Sequence, residues 1–191
     1  MSDFKVTNGV LEKYYGCEAN IAIPDGVKYI GEESFAGCEF IVSVTIPESV
    51  VEIRDNAFSG CMQLEKINFA PKGNLTVIGE GAFGSCSIKE LKFPSSLRQI
   101  REEAFCPAAD LVKLELNDGL QCIGKSAFEA CEDLPEVFIP VSVTRIDKLA
   151  FAYASRMIAY AEALSKPIGW NEDWSDDECP CRVVWGCKKP R

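Results

Sequence analysis

A single phrase is written six times along this chain: apolar-Pro-x-x-Val-x-x-Ile-Gly-x-x-Ala-Phe-x-x-Cys-x-x-Leu. The stretch Ile46-Pro47-Glu48-Ser49-Val50-Val51-Glu52-Ile53, followed by Ala57-Phe58, Cys61 and Leu64, is one copy. The phenylalanines recur at Phe35, Phe58, Phe83, Phe105, Phe128 and Phe151, a step of about 23 residues. A unit this short cannot bury its apolar slots alone. They leave water only when neighbouring units stack, so the repeat dictates a solenoid with one continuous core. The 191 residues therefore read as one array, and a hydrophobic content of 47% is enough to fill it.

A period of roughly 20–29 residues with fixed apolar slots is the signature of a leucine-rich-repeat solenoid. Leu64, Ile67 and Phe69 have the spacing of a half-buried strand, and Leu111/Leu114/Leu116 and Leu134/Val137/Ile139 repeat it. Proline then ends most of the repeat strands, because it has no ladder donor. Val50 and Ile53 form a second apolar pair, placed on the opposite wall, and Ala57-Phe58 is expected in a helical turn that carries the ring inward. The expected fold is thus a solenoid of short parallel strands with helical turns, about six to seven repeats of ~23 residues, capped at both ends. Residues 1–164 form the solenoid, with an N-terminal cap at 1–22 that includes Phe4, Leu11, Tyr14 and Tyr15. Residues 165–191 read as an irregular C-terminal cap carrying Trp170, Trp174 and Trp185. Between them, Met157–Ala161 reads as a strand, with a helix over Ala150–Leu164 as the competing assignment.

Composition excludes several function classes. A net charge of -9 disfavours nucleic acid, which needs a positive face. No apolar run approaches the roughly 18 residues of a membrane span. The start, Met1-Ser2-Asp3-Phe4-Lys5, lacks the basic opening and apolar stretch of a signal peptide. The chain has no histidine, which removes Ser-His-Asp and Cys-His nucleophile systems and the commonest general base. Carboxylate catalysis survives that test, but Glu32-Glu33 and Glu102-Glu103 are neighbours whose side chains diverge. No enzyme, cofactor or metal site is expected.

The recurring Ile-Pro-x-x-Val-x-x-Ile-Gly-x-x-Ala-Phe-x-x-Cys resembles the repeat of the BspA-like leucine-rich-repeat proteins, common in gut and oral anaerobic bacteria and some protists. The resemblance covers about residues 21–155 and extends to the lead-in from Phe4 to Val27 and to a tail with Lys166-Pro167, Gly169-Trp170, Trp174 and Val183-Val184-Trp185-Gly186. It implies a curved solenoid used for binding, with surface adhesion to host or matrix proteins among the family's roles. It also implies a secreted or cell-surface location. No family catalytic residue exists to carry over.

Cys38, Cys61, Cys86 and Cys131 each follow the repeat phenylalanine by three residues, and Ala108 interrupts the column. A metal or redox strip is one reading; small buried thiols filling a tight turn is the preferred one. Cys179-Pro180-Cys181 with Cys187 is the local cysteine cluster, open to zinc, a disulfide or free thiols. Asp173, Asp176, Asp177 and Glu178 lack the glycine and spacing of a calcium loop and read as a solvated acidic surface. The outward strand positions form two columns: Ser43, Lys66, Glu90, Lys113, Glu136, and Thr45, Asn68, Lys92, Glu115, Phe138. The first alternates in sign from Lys66 onward and is expected to neutralise itself across strands. Phe138 breaks the second with an exposed aromatic, the kind of residue that anchors partners. The expected binding residues are therefore Lys113, Glu115, Glu136 and Phe138, for a protein ligand recognised by a monomeric, non-enzymatic module. The alternative is a purely structural repeat or spacer.

Overall fold

Each repeat contributes two short strands, one to each wall of the array. The computed structural model describes residues 3–175 and 181–188. A hairpin of β1 (Phe4–Thr7) and β2 (Val10–Tyr14) opens the chain. There follow β3 (Asn20–Ala22), β4 (Tyr29–Ile30), β5 (Ser43–Ile46), β6 (Glu52–Ile53), β7 (Lys66–Phe69), β8 (Val77–Ile78), β9 (Glu90–Lys92) and β10 (Gln99–Ile100). The second half holds β11 (Lys113–Glu115), β12 (Cys122–Ile123), β13 (Glu136–Ile139), β14 (Arg145–Ile146), β15 (Ile158–Ala161) and β16 (Arg182–Trp185). The result is a β-solenoid of about seven turns of ~23 residues.

Two eight-stranded sheets form, in the orders β1-β2-β4-β6-β8-β10-β12-β14 and β16-β15-β13-β11-β9-β7-β5-β3. Among the described residues only β1 and β2 pair antiparallel; one strand per turn makes every other neighbour parallel. The second sheet carries the longer strands and the outward columns read from sequence. Val44 lies beside Ile67, and Ser43 beside Lys66, as a register set by the repeat length requires.

The core is an aromatic stack. Phe35, Phe58, Phe83, Phe105, Phe128 and Phe151 lie face to face, with centroids 4.5, 5.0, 5.3, 5.3 and 5.1 Å apart in turn. Tyr14 closes one end at 5.2 Å from Phe35, and Trp174 meets Phe151 edge-on at 5.8 Å. The turns that present these rings are not helical; among the described residues there is no helix. The reason lies in the backbone. Phe58 N–H donates to Ala82 O at 2.8 Å, and Phe83 N–H to Ala104 O at 2.8 Å. The amides alternate between the next coil and single local turns, as Ala57 N–H to Arg54 O at 3.3 Å and Ser59 N–H to Asn56 O at 3.1 Å, so no continuous run of helical bonds builds. Left-handed residues also break each segment, at Glu33, Asn56, Gly81, Glu103, Ser126 and Leu149 (φ +51° to +58°), a conformation that no right-handed helix contains.

At the C-terminal end the segment expected over Met157–Ala161 is strand rather than helix, as β15 at Ile158–Ala161. The segment beyond is more regular than an irregular cap. Ile146 bridges Trp170 in parallel, and Phe151 N–H donates to Trp174 O at 2.9 Å. Val183, Val184 and Trp185 lie in β16, parallel to Ala159, Tyr160 and Ala161. The chain thus makes a degenerate further coil. Its strand was hidden because Trp170 and Trp174 replace the repeat's Ile and Phe. Trp170 and Trp174 are buried, and Trp170 Nε1–H donates to Val143 O at 2.9 Å.

Candidate partner-binding site

The longer-strand sheet places Lys113 and Glu115 on β11 and Glu136 and Phe138 on β13. The structure brings all four around one concavity of about 810 Å³, which Lys92, Pro135 and Asn117 also line. Leu114 and Leu116 form part of its floor. Phe138 is half-buried rather than exposed, because Glu115 and Tyr160 flank it on the neighbouring strands. Its position in the column is as read from sequence; its exposure is not.

Charge pairing differs from the expected column. Lys66 does lie beside Glu90, and Glu90 beside Lys113. The close ion pairs, however, converge on Glu115, which meets Lys92 at 2.9 Å across the strands and Lys113 at 3.0 Å along its own. The two ammonium groups hold the Glu115 carboxylate below its usual range, Lys92 first, and Glu115 in turn raises Lys113. Glu115 draws both lysines because diagonal and same-face neighbours are within reach of long side chains. Glu136 has no ion-pair partner among the described residues.

Two residues shape the concavity that the sequence columns did not single out. Turn after turn, one N–H closes the joint before the strand: Val42 to Ala19 O at 2.7 Å, Glu65 to Val42 O at 3.0 Å, Lys89 to Glu65 O at 3.4 Å and Val112 to Lys89 O at 2.9 Å. Pro135 holds the next position and has no N–H to give Val112. There the β11–β13 ladder keeps the Glu115–Phe138 register alone, as β7–β9 keeps Lys66–Glu90, whereas β13–β15 keeps four. The second residue is Asn117, in the slot that is proline at Pro24, Pro47 and Pro140. Its Nδ2 donates to Leu97 O at 3.0 Å and Ser95 O at 3.3 Å. Two facing carbonyls fix the amide orientation, and Oδ1 is left buried without a partner. Both signals were legible as departures from the repeat.

The remaining candidates are dispersed. Cys61, Cys86 and Cys131 are buried, but Cys38 is only half-buried, being at the N-terminal end of the column. The Cys61 thiol donates to Phe35 O at 3.2 Å and Cys86 to Phe58 O at 3.3 Å. Contact with Cys61 and then burial push the Cys86 thiol up, and burial pushes Cys131 up to about 12. Cys181 is buried and Cys187 half-buried. Cys179 lies outside the described residues, as do Asp176, Asp177 and Glu178; Asp173 pairs with Lys148 at 3.6 Å. Among the described residues, no three Cys, Asp or Glu side chains gather as a metal site would, and no helix is long and apolar enough to cross a membrane.

Comparison with protein families finds the BspA type leucine rich repeat region in six copies, over residues 12–83 and 70–163. No curated protein matches. Solved structures share the fold. A leucine rich cell surface protein from Faecalibacterium prausnitzii is 24% identical, with a TM-score of 0.68 over 89% of this chain and 55% of that one. The leucine-rich-repeat protein TpLRR of T. pallidum is 26% identical, with a TM-score of 0.55 over 82% of this chain and 67% of that one. A leucine-rich-repeat protein from Bacteroides ovatus is 21% identical, with a TM-score of 0.59 over 95% of this chain and 65% of that one. The chain thus spans little more than half the length of the first of these.

Proposed function

The chain belongs to the BspA-type leucine-rich-repeat family, and from that premise we propose that it is a non-enzymatic protein-binding module whose recognition face is the longer-strand sheet. One observation carries the reading: Lys113, Glu115, Glu136 and Phe138 converge on a single concavity of about 810 Å³ beside an interrupted ladder. A groove with an apolar floor and a few placed polar groups is the usual form of a binding site. The rest of the outward columns offers mostly solvated polar side chains. A secreted or cell-surface setting is part of the proposal, supported by the cell-surface protein among its structural neighbours. We take the working form to be a monomer.

The test is capture of partners on the immobilised protein, in parallel with a variant carrying alanine at Lys113, Glu115, Glu136 and Phe138. Extracellular host proteins and bacterial extracts serve as the two sources. A partner held by the native protein and lost by the variant supports the reading. Phe138→Ala alone is then expected to weaken it by more than about 1 kcal/mol, the threshold for an anchor. Partners held equally by both proteins would place recognition elsewhere. A second reading, a structural spacer without a ligand, is favoured by the Lys92–Glu115–Lys113 bridge, which neutralises part of the face. It predicts that nothing is captured from either source.

A further inference from the structure

The groups around the concavity divide into those already satisfied and those left over. Both cations are taken: Lys92 and Lys113 each meet Glu115, at 2.9 and 3.0 Å. What remains is negative or hydrogen-bond accepting. Glu136 carries a carboxylate with no ion-pair partner among the described residues. The Val112 carbonyl lacks the N–H that Pro135 cannot supply. Asn117 is 8% exposed, lines the same concavity, and holds an unpartnered Oδ1 in its buried floor. An unsatisfied acceptor in a low-dielectric floor keeps its negative potential, which water does not screen. The donors present are the two ammonium groups held by Glu115 and the Ser95 hydroxyl, all on the other side of the balance, so the leftover acceptors are matched by an incoming group that brings donors of its own.

The walls define the rest of that group. Phe138 is a half-buried ring, Pro135 is exposed beside it, and Val112 is 47% exposed. Together they offer a path for a hydrocarbon stem and an aromatic face for a cation. Arginine supplies both, with five donors in a planar fork that can serve several acceptors at once. An ammonium is a compact charge that would stay more fully hydrated. The net charge of -9 favours encounter with a basic partner.

We infer that the concavity between β11 and β13 is a subsite for an arginine side chain on an extended, basic peptide segment of the partner. The inference rests on the proposed recognition face and names the chemistry of what it takes. The guanidinium sits between the Glu136 carboxylate and the Val112 carbonyl, over the Asn117 floor, with its stem along Phe138 and Pro135.

The test is a random dodecapeptide phage library panned on the immobilised full chain. Winning peptides are then synthesised, with each arginine also made as citrulline, its uncharged near-isostere. The expected result is a consensus with arginine next to apolar residues. Citrulline should weaken binding at least tenfold. Glu136→Gln, whose fold is checked by circular dichroism and melting, should weaken the arginine peptide at least fivefold and the citrulline peptide hardly at all. Pairing the two changes reads the specific contact rather than a general loss of structure. An apolar or acidic consensus that Phe138→Ala still abolishes overturns the arginine assignment but keeps the face. Peptides whose binding ignores both Glu136→Gln and Phe138→Ala, or a library that yields no consensus, overturn both.

Discussion

Truncating Phe58 to alanine probes the element on which the whole array depends. The ring is fully buried and lies nearly parallel to Phe35 at 4.5 Å and to Phe83 at 5.0 Å. Removing a buried phenylalanine costs about 3–5 kcal/mol, from lost transfer energy and the cavity left behind. Phe58→Leu keeps most of the apolar volume but ends two ring contacts, each worth about 0.5–1.5 kcal/mol beyond burial. Its expected cost is therefore about 1–3 kcal/mol. Urea denaturation followed by far-UV circular dichroism measures both. Tryptophan fluorescence adds a local probe, since Trp170, Trp174 and Trp185 all sit at the C-terminal end. A double-mutant cycle sharpens the argument. Phe35 and Phe58 touch and should couple by about 0.5–1.5 kcal/mol; Phe35 and Phe128 are separated by three rings and should be additive. A Phe58→Ala cost below about 1 kcal/mol, or equal coupling in both pairs, would refute the stack as the source of stability.

Backbone conformation gives a pair of opposite predictions. Gly60 (φ +73°) has only Gly37 backbone atoms near an added Cβ, the closest at 3.7 Å, so Gly60→Ala should cost about 1 kcal/mol through φ alone. Ala130 (φ +64°) holds the position of Gly60 three coils on, and Ala130→Gly should raise stability by about 0.5 kcal/mol, read as a higher urea midpoint; a fall would show that the strain is relieved by packing. A thiol reagent with mass-spectrometric readout should label exposed Cys17 in the native protein and reach Cys61, Cys86 and Cys131 only after denaturation; rapid native labelling of the buried three would contradict the register. Deleting residues 165–191 uncovers Phe151 and removes the hydrogen bond from Phe151 N–H to Trp174 O, so the shortened chain should melt markedly lower or aggregate. Unchanged melting of a monomer would make the segment an independent tail.

The solenoid was legible because six copies averaged away the noise of any one. A slot that is apolar at Ile30, Ile53, Ile78, Ile100, Ile123 and Ile146 can only be a wall of the core, and each of these is buried. What the pattern could not give was the local conformation between slots. Ala57-Phe58 has the composition of a helical turn, yet the Phe58 amide bonds to the next coil, a tertiary choice that local propensity does not record. β16 was missed for a related reason: Arg182–Trp185 lacks the preceding phrase, and only its pairing with β15 shows its place. Glu115 illustrates the same limit in the site. Its column position was readable, but not that it would draw both Lys92 and Lys113.

In a repeat protein the agreements between copies specify the fold, so a particular site must come from their disagreements. Pro135 is such a place. Val42, Glu65, Lys89 and Val112 all donate the N–H that it lacks. Pro135→Val restores that donor and offers Val112's carbonyl the bond its neighbours have. The net stability change is small by construction. A new hydrogen bond contributes about 0.5–1.5 kcal/mol, while losing proline loosens the unfolded chain at a cost of about 0.4–1 kcal/mol. Melting should therefore shift little, and amide hydrogen exchange at Glu136 should slow as the ladder extends. Binding should respond far more, because the closed ladder removes an acceptor and narrows the concavity beside Phe138. A Pro135→Val protein that melts like the native one, shows the slower exchange, and has lost peptide binding would place recognition at the interrupted ladder. If exchange slows and binding is untouched, the gap in the ladder has no part in recognition.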